Sequence, residues 1–258
     1  MNYGMYIAAS GASTQMARQD VLSNNLSNVN TVGFRPDWMG VRARDVVRVE
    51  DDLAFANSNH LLERLGAGVM PSQTQVRTSQ GPIQETGRPL DVAIEGEGFF
   101  VVQHGTGSDG LRVTRDGRFS IAPDGTLVLA GDGTPVQGRN SSRIRLDPTA
   151  HVDIRPDGVI EQRGVPVGRL RIATVTDAAR LVKTGNSLMR APDGETLQLG
   201  RGGGGRIVQG AVEGSGVDPI KALIGMTSAS RAAQSNMQMI SVIDQNMQQA
   251  IGRFGQVA

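Results

Sequence analysis

Residues 218–254 read DPIKALIGMTSASRAAQSNMQMISVIDQNMQQAIGRF, and the architecture follows from how that stretch is interpreted. Asp218 is a good N-cap, and Pro219 behind it suits the first helical position, where its missing N–H costs nothing. From there a seam steps by three and four through Leu223, Met226, Ser230, Ala233, Met237, Ile240, Asp244, Met247, Ile251 and Phe254, with eight of ten positions apolar. A repeat of 3.5 residues held this long predicts a helix that supercoils against a partner helix. At the usual helical rise the rod would be about 50 Å long, more than a compact domain buries alone.

The polar side of this helix carries few charges. From residue 218 to the end they are Asp218, Lys221, Arg231, Asp244 and Arg253, and amides fill the remaining polar positions, among them Gln234, Asn236, Gln245 and Gln249. Neutral amides suit a face that meets other protein better than one bathed in water. A weaker seam runs through Met5, Ala9, Ala12, Met16, Gln19, Ser23 and Leu26, beside a stripe of Ala8, Ala12, Leu22, Leu26 and Val29. Its small residues would let helix backbones approach closely. The simplest arrangement is a coiled-coil pairing of the two ends, within one chain or between chains.

Glycine and proline mark where the helices stop. Of 34 Gly, 29 lie between Gly33 and Gly216, and ten of 11 Pro are also central. This middle reads as β. Leu90, Val92 and Ile94 alternate with polar residues, 99–102 is a continuous apolar run, and 169–175 alternates again. Six Asp-Gly dipeptides, beginning at Asp109, Asp116, Asp124, Asp132, Asp157 and Asp193, predict hairpin turns between short antiparallel strands. Between Pro36 and Thr86 the signals are mixed: 41–49 alternates like a strand, and 53–65 is faintly helical.

Composition removes several functions. The net charge is +1 with no Lys/Arg-rich run, so nucleic acid is not expected as a partner. With no Cys and three scattered His, there is no thiolate site and no paired metal ligand, and no cofactor is expected. No apolar run reaches the ~18 residues of a membrane span, and the first basic residue is Arg18, so neither membrane insertion nor a conventional cleaved signal is expected. Residues 105–110 match G-x-G-x-x-G, yet another strand follows where a dinucleotide site needs a helix. The glycines at 202–205 could cradle a phosphate but read better as a linker. Asp91, Glu95 and Glu97 form the nearest carboxylate cluster, and their alternation makes them solvent-facing residues. No catalytic constellation emerges, and the chain is read as a non-enzyme.

Three segments carry a resemblance. Residues 24–35, NNLSNVNTVGFR, read physically as a helix end, with Gly33 suited to the C′ position and Pro36 stopping continuation. The same string resembles the N-terminal signature of the bacterial flagellar basal-body rod and hook family. LDVAIEGEGFFVV at 90–102 is similar to that family's central block, and GAVEGSGVDPIKAL at 210–223 to its C-terminal block. The resemblance spans nearly the whole chain. It implies an α+β fold in which long N- and C-terminal helices, a coiled-coil pair, flank a central antiparallel all-β domain. It also implies helical ends that pack with neighbouring subunits as the wall of a hollow axial structure, and export through the flagellar type III apparatus. The shortness favours a rod over a hook subunit. The opening residues and the Met/Gln-rich end look most like the proximal rod subunit, with the distal subunit as the alternative. Relatives usually carry an aromatic in the C-terminal helix where this chain has Ala232-Ala233, which weakens the distal assignment.

The expected organisation is therefore an N-terminal axial helix with its Asn-rich end (1–35), an extended arm (36–85), an antiparallel β domain (86–200), a Gly-rich return linker (201–217) and a C-terminal axial helix (218–258). The expected location is the periplasmic rod of the basal body, and the expected work is axial assembly and transmission of torque. The expected partners are other rod and hook-family subunits, further copies of the chain, and the export apparatus. The assembly interface is expected to use Met5, Ala9, Ala12, Met16, Leu22, Asn24, Asn25, Leu26, Asn28, Gly33 and Phe34 from the N-terminal segment. From the C-terminal helix it takes Leu223, Met226, Met237, Ile240, Met247, Ile251 and Phe254. Two other classes compete: a secreted glycan-binding or glycan-cleaving β domain with oligomerising helices, and a coiled-coil adhesin stalk.

Overall fold

The computed structural model describes residues 3–45, 67–105, 107, 110–201 and 204–254, without the side chains of Arg201, Arg253 and Phe254. The helical signal at 53–65 and residues 46–49 of the strand signal at 41–49 lie outside the described residues, as do His60 and Asp109. The elements are helix α1 (Tyr3–Ser27), strands β1 (Asp37–Ala43), β2 (Val69–Val76), β3 (Ile83–Glu85), β4 (Val92–Glu95), β5 (Phe99–Gln103), β6 (Leu111–Thr114), β7 (Phe119–Ile121), β8 (Leu127–Leu129), β9 (Val152–Ile154), β10 (Val159–Gln162), β11 (Val165–Arg169), β12 (Ile172–Val175), β13 (Val182–Gly185), β14 (Leu188–Arg190), β15 (Leu199–Arg201), β16 (Arg206–Gln209) and β17 (Ala211–Glu213), and helix α2 (Pro219–Phe254). The fold class is α+β: a helix at each end and an antiparallel, sheet-rich middle.

Two compact units share the chain. One contains Met1–Leu26, Asp37–Thr74 and Asp218–Ala258; the other contains Ser27–Pro36 and Gln75–Val217. In the helical unit, Asp218 caps α2 as its sequence suggests, Oδ1 accepting the Ile220 and Lys221 N–H groups at 3.1 Å each. α1 and α2 run antiparallel and touch at glycines. A Cβ at Gly4 would lie 3.4 Å from Ile243 Cδ1, one at Gly11 3.0 Å from Asn236 Nδ2, and one at Gly225 3.1 Å from Leu22 Cδ1. The two-stranded β1–β2 sheet and the residue after β1 meet α1 through polar contacts: Ser10 Oγ accepts the Val69 N–H at 3.3 Å, and the Arg44 guanidinium stands 5.2 Å from the Tyr6 ring centre.

The β unit is built on a six-stranded antiparallel sheet, β13-β14-β6-β5-β12-β15, with β11-β10-β9 as a second sheet. The apolar run at 99–102 is continuous because β5 is covered on both faces. Phe100 and Val102 join Val92, Ile94, Leu127 and Ile160 in one core cluster, while Phe99 and Val101 join Val113, Ala173 and Met189 in the other. Phe100 meets Phe119 edge to face, ring centres 5.1 Å apart. β4 likewise buries Val92, Ala93 and Ile94 in succession rather than alternating.

The Asp-Gly dipeptides act in a narrower way than expected. Gly125, Gly133, Gly158 and Gly194 have positive φ, but their Asp partners do not, so these are not two-residue turns with both central residues left-handed. Residues 122–126 and 155–159 close the same way: the glycine N–H returns to the carbonyl three residues back, Gly125 to Ala122 and Gly158 to Arg155, each at 2.8 Å. Proline fixes the first turn position and the Asp side chain accepts the N–H two residues on, at Thr126 and Val159. Asp116-Gly117 is no hairpin turn; Gly117 is required because a Cβ there would strike the Val92 carbonyl.

Candidate assembly interface

On α2 the residues buried inside the chain are Ala222, Ala229 and Ala233, with Met226, Asn236, Ile240 and Ile243 half-buried along the same line. These again step by three and four, but the line is displaced from the seam read in the sequence and shares with it Met226, Ala233 and Ile240. The α1 glycines receive the larger members of this line, Gly4 facing Ile243 and Gly11 facing Asn236. The larger apolar residues are left outside: Leu223 is 46% exposed, Met237 47% and Ile251 71%, with Met247, Ile220, Ile224, Met239 and Val242 also exposed. The side chain of Phe254 lies outside the described residues.

The α1 residues divide similarly. Ala12 is buried beside Ala8, and Met5, Leu22 and Leu26 are half-buried; Ala9 and Asn24 are exposed and Met16 is 53% exposed. Asn25 is buried and its amide works in both directions, Nδ2 donating to the Asp37 carbonyl and Oδ1 accepting the Asp37 N–H, each at 2.8 Å. The helical unit therefore keeps one apolar line for itself and displays another. Burying a large apolar side chain from that second line against a neighbour is worth about 1.5–3 kcal/mol.

Asn28, Gly33 and Phe34 belong to the β unit and do something the sequence reading missed. α1 ends at Ser27, so Gly33 is not its C′ residue. At φ +66 its N–H donates to the Glu213 carbonyl at 2.7 Å, and a Cβ would sit 2.5 Å from the Arg115 carbonyl carbon and the Asp116 nitrogen. The half-buried Asn28 carbonyl accepts the Thr31 N–H at 3.1 Å. Phe34 is buried under Lys183, whose Nζ is 3.9 Å from the ring centre.

Beside them lies a fully buried ion cluster. Glu213 Oε2 accepts Arg115 Nη1 at 2.8 Å, Oε1 accepts the Gly81 N–H at 2.8 Å, and Oε1 lies 3.0 Å from Arg35 Nη2. The guanidiniums are also used as backbone clamps: Arg35 Nη1 donates to the Ser79 carbonyl, and Arg115 to the carbonyls of Ile94 and Gly96. Burial pushes the Arg35 pKa down to about 10, with Glu213 opposing and Arg115 assisting that shift. Arg115 is lowered too, chiefly by burial. Both remain cations at neutral pH, so one carboxylate serves two charges. All three segments singled out in the sequence meet here: Gly33, Phe34 and Arg35 from the first, Ile94 and Gly96 from the second, Glu213, Gly214 and Gly216 from the third. Gly214 donates to the Pro82 carbonyl at 2.7 Å and Gly216 to that of Phe34 at 3.0 Å.

The carboxylates considered for chemistry are occupied or separated. Asp91 is buried, contrary to the solvent-facing expectation, and accepts Thr86 Oγ1 at 2.7 Å and Arg88 Nε at 2.9 Å; Glu95 and Glu97 are exposed. The G-x-G-x-x-G segment joins β5 to the antiparallel β6, where a dinucleotide site needs a helix, and the His104 N–H donates to the Gly110 carbonyl at 2.7 Å.

Family models align with the same three regions. "Flagella basal body rod protein" matches residues 5–35, the "flagellar hook protein FlgE/F/G D1 domain" matches 93–162, and the "flagellar basal body rod FlgEFG protein C-terminal" model matches 208–253. A flagellar basal-body rod protein FlgF of Caulobacter vibrioides is 30% identical over the full length of both chains. The chain belongs to the flagellar basal-body rod protein family. The FlgF of Salmonella typhimurium is 30% identical and a FlgG of Buchnera aphidicola 31%, each over 95% of this chain and 96% of the relative. As a member of the rod family the chain is a structural component of the flagellar basal body and not an enzyme. The buried ion cluster lies where family-matched segments converge, which makes it an architectural feature of the β unit.

Proposed function

We propose that the chain is a proximal rod subunit whose helical unit packs side by side with neighbouring rod and hook-family subunits and with further copies of itself. In this reading α1 and α2 form the inner, coiled-coil wall of an axial shaft that carries torque, and the chain reaches the periplasm through the flagellar type III apparatus without a cleaved signal. The organisation into axial helices, arm and β domain given above belongs to the same proposal, with 206–213 counted to the β unit through β16 and β17, as do those interface residues that are exposed or half-buried. The observation that carries it is the second apolar line on α2, Leu223, Met237, Met247 and Ile251, left uncovered while alanines pack inside the chain. Open helical assembly needs such a patch, different from the one already used. The proximal assignment rests on the resemblance of residues 1–11 and of the Met/Gln-rich end. Ala233 supports it, since this buried position against α1 has no spare room for the aromatic usual in relatives.

The test is a pair of substitutions, Met237→Asp and Ile251→Asp, made in the chromosomal copy. Both side chains are exposed, so the purified variants should melt like the wild type while basal bodies lack the subunit and cells do not swim. Wild-type incorporation and motility in both variants would overturn the proposal.

A further inference from the structure

The β unit carries a basic cleft that rod assembly through the helices does not use. Segment 137–139 pairs antiparallel with 169–171: the Arg171 N–H donates to the Gln137 carbonyl at 3.1 Å, the Arg139 N–H to the Arg169 carbonyl at 2.9 Å, and Gly138 bridges Leu170. Leu170 points into the core, so the period of two turns Arg139, Arg169 and Arg171 to the other face. Arg143, bridged to Gln137, stands on that face as well. A cavity of about 610 Å³ opens there, lined by Arg139, Arg169, Arg171 and Asn140 over an aliphatic floor that includes Ile172 and Leu199.

The charges are not balanced from within. Among the described residues Asp157 is the one acid in the lining, and it is engaged by Arg169, whose Nε donates to its carbonyl at 2.9 Å and whose Nη2 lies 3.6 Å from its carboxylate. Arg171 is held in place by two neutral acceptors, Gln137 Oε1 and Ser141 Oγ, both 2.9 Å from Nη1, which leaves its other donors free. Arg139 is exposed and its guanidinium has no partner among the described residues. In a protein of net charge +1 this concentration is local.

We infer that the cleft docks an acidic segment of a partner protein, with glutamate or aspartate carboxylates seated on Arg139 and Arg171. Arginine forks match carboxylates in bidentate geometry, and the aliphatic floor suits the methylenes of a glutamate side chain. Among the described residues the lining contains no aromatic platform on which a base or sugar ring would stack. The cavity is of the size that holds a few side chains, within the usual range of roughly 300–1,000 Å³ for binding sites.

The inference is independent of the helical assembly and is tested on the full-length chain in solution with a fluorescein-labelled hexaglutamate peptide, read by anisotropy. Saturable one-to-one binding is expected, weakened by added salt and absent for hexaglutamine. Arg139→Gln should weaken it about tenfold, and Arg139→Gln with Arg171→Gln further still, since each removes charge-assisted hydrogen bonds. Arg163→Gln, which alters an exposed arginine paired with Asp147, should leave binding unchanged. The Arg139 guanidinium is exposed and has no hydrogen-bond or ionic partner among the described residues, so its variant must keep the wild-type melting temperature; if Arg171→Gln lowers it, Arg139→Gln alone decides. Equal affinity in wild type and Arg139→Gln, equal binding of hexaglutamine, or full displacement by equimolar inorganic phosphate would each overturn the inference.

Discussion

Replacing Glu213 by Gln removes the only carboxylate between two buried guanidiniums. The Glu213 side chain is 1% exposed, and it balances Arg35 and Arg115 while accepting the Gly81 N–H. Glutamine keeps the size and one acceptor, so little cavity forms and the effect isolates the charge. Removing one partner of a buried ion pair typically costs about 3–5 kcal/mol. Arg115 already disfavours charge on Arg35, and with Glu213 neutral the two cations would keep only the weaker influence of Glu97 on Arg115. For a unit of roughly 150 residues, each kcal/mol lowers the melting temperature by about 2–4 °C, so a fall of roughly 6–20 °C is expected. Circular dichroism at β wavelengths reads it; the single Trp38 does not, since it reports on the helical unit.

The pH dependence of that loss follows from Arg35. In the wild type burial lowers the folded Arg35 pKa to about 10, so the charging penalty is constant below that pH and is relieved as pH rises through it. Losing Glu213, which raises the Arg35 pKa, lowers it further in the variant, so the difference between Glu213→Gln and the wild type should narrow as pH rises towards 10. A loss under about 1 kcal/mol would refute the reasoning. Swapping all three charges for apolar residues should not restore stability, because the carbonyls of Ser79, Ile94 and Gly96 would lose their donors.

Three further outcomes are expected. Phe100→Ala, at a fully buried position packed on Phe119, should cost about 3–5 kcal/mol in urea denaturation. Gly33→Ala forces a Cβ against the Arg115–Asp116 peptide at positive φ and should cost at least ~1–3 kcal/mol, whereas an ordinary helix C′ glycine would lose about 1. Asp124, Asp147 and Asp218 are held below the usual 3.8, first by the Thr126 N–H, the Thr149 hydroxyl and the Lys221 N–H respectively. Their folded pKa values are depressed, so the stability they give is full above about pH 4 and lost as pH falls through the folded values. Asn at the three sites should flatten that acid slope in melts from pH 5 to 2, and an unchanged slope would contradict the assignment.

Local physics was legible in the sequence where one residue type has one use. The Asp218-Pro219 helix start is where the string places it, and the apolar run at 99–102 became a strand because only double burial tolerates four such residues in succession. Pro-Asp-Gly at 123–125 and 156–158 turned the chain, though through a single left-handed glycine. Choices between equivalent faces were not legible. Periodicity alone favours the larger side chains of α2, yet the buried line takes Ala222, Ala229 and Ala233 and leaves Leu223, Met237 and Ile251 exposed. Nothing in the string links Glu213 to Arg35 and Arg115; that pairing needs the strands to be placed first. Asp91 misled because alternation marks it as outward, while its bridge to Arg118 sets it in the interior.

Since the chain has no cysteine, Met16→Cys and Met237→Cys give single, exposed crosslinking positions on the two helices. Treating purified basal bodies with a short bismaleimide after adding a surface cysteine to candidate neighbours, or with a photoreactive maleimide where the neighbour is unmodified, tests the assembly most directly. The account predicts that both positions join the subunit to other axial chains. Adducts confined to a single chain, at both positions in intact basal bodies, would contradict it.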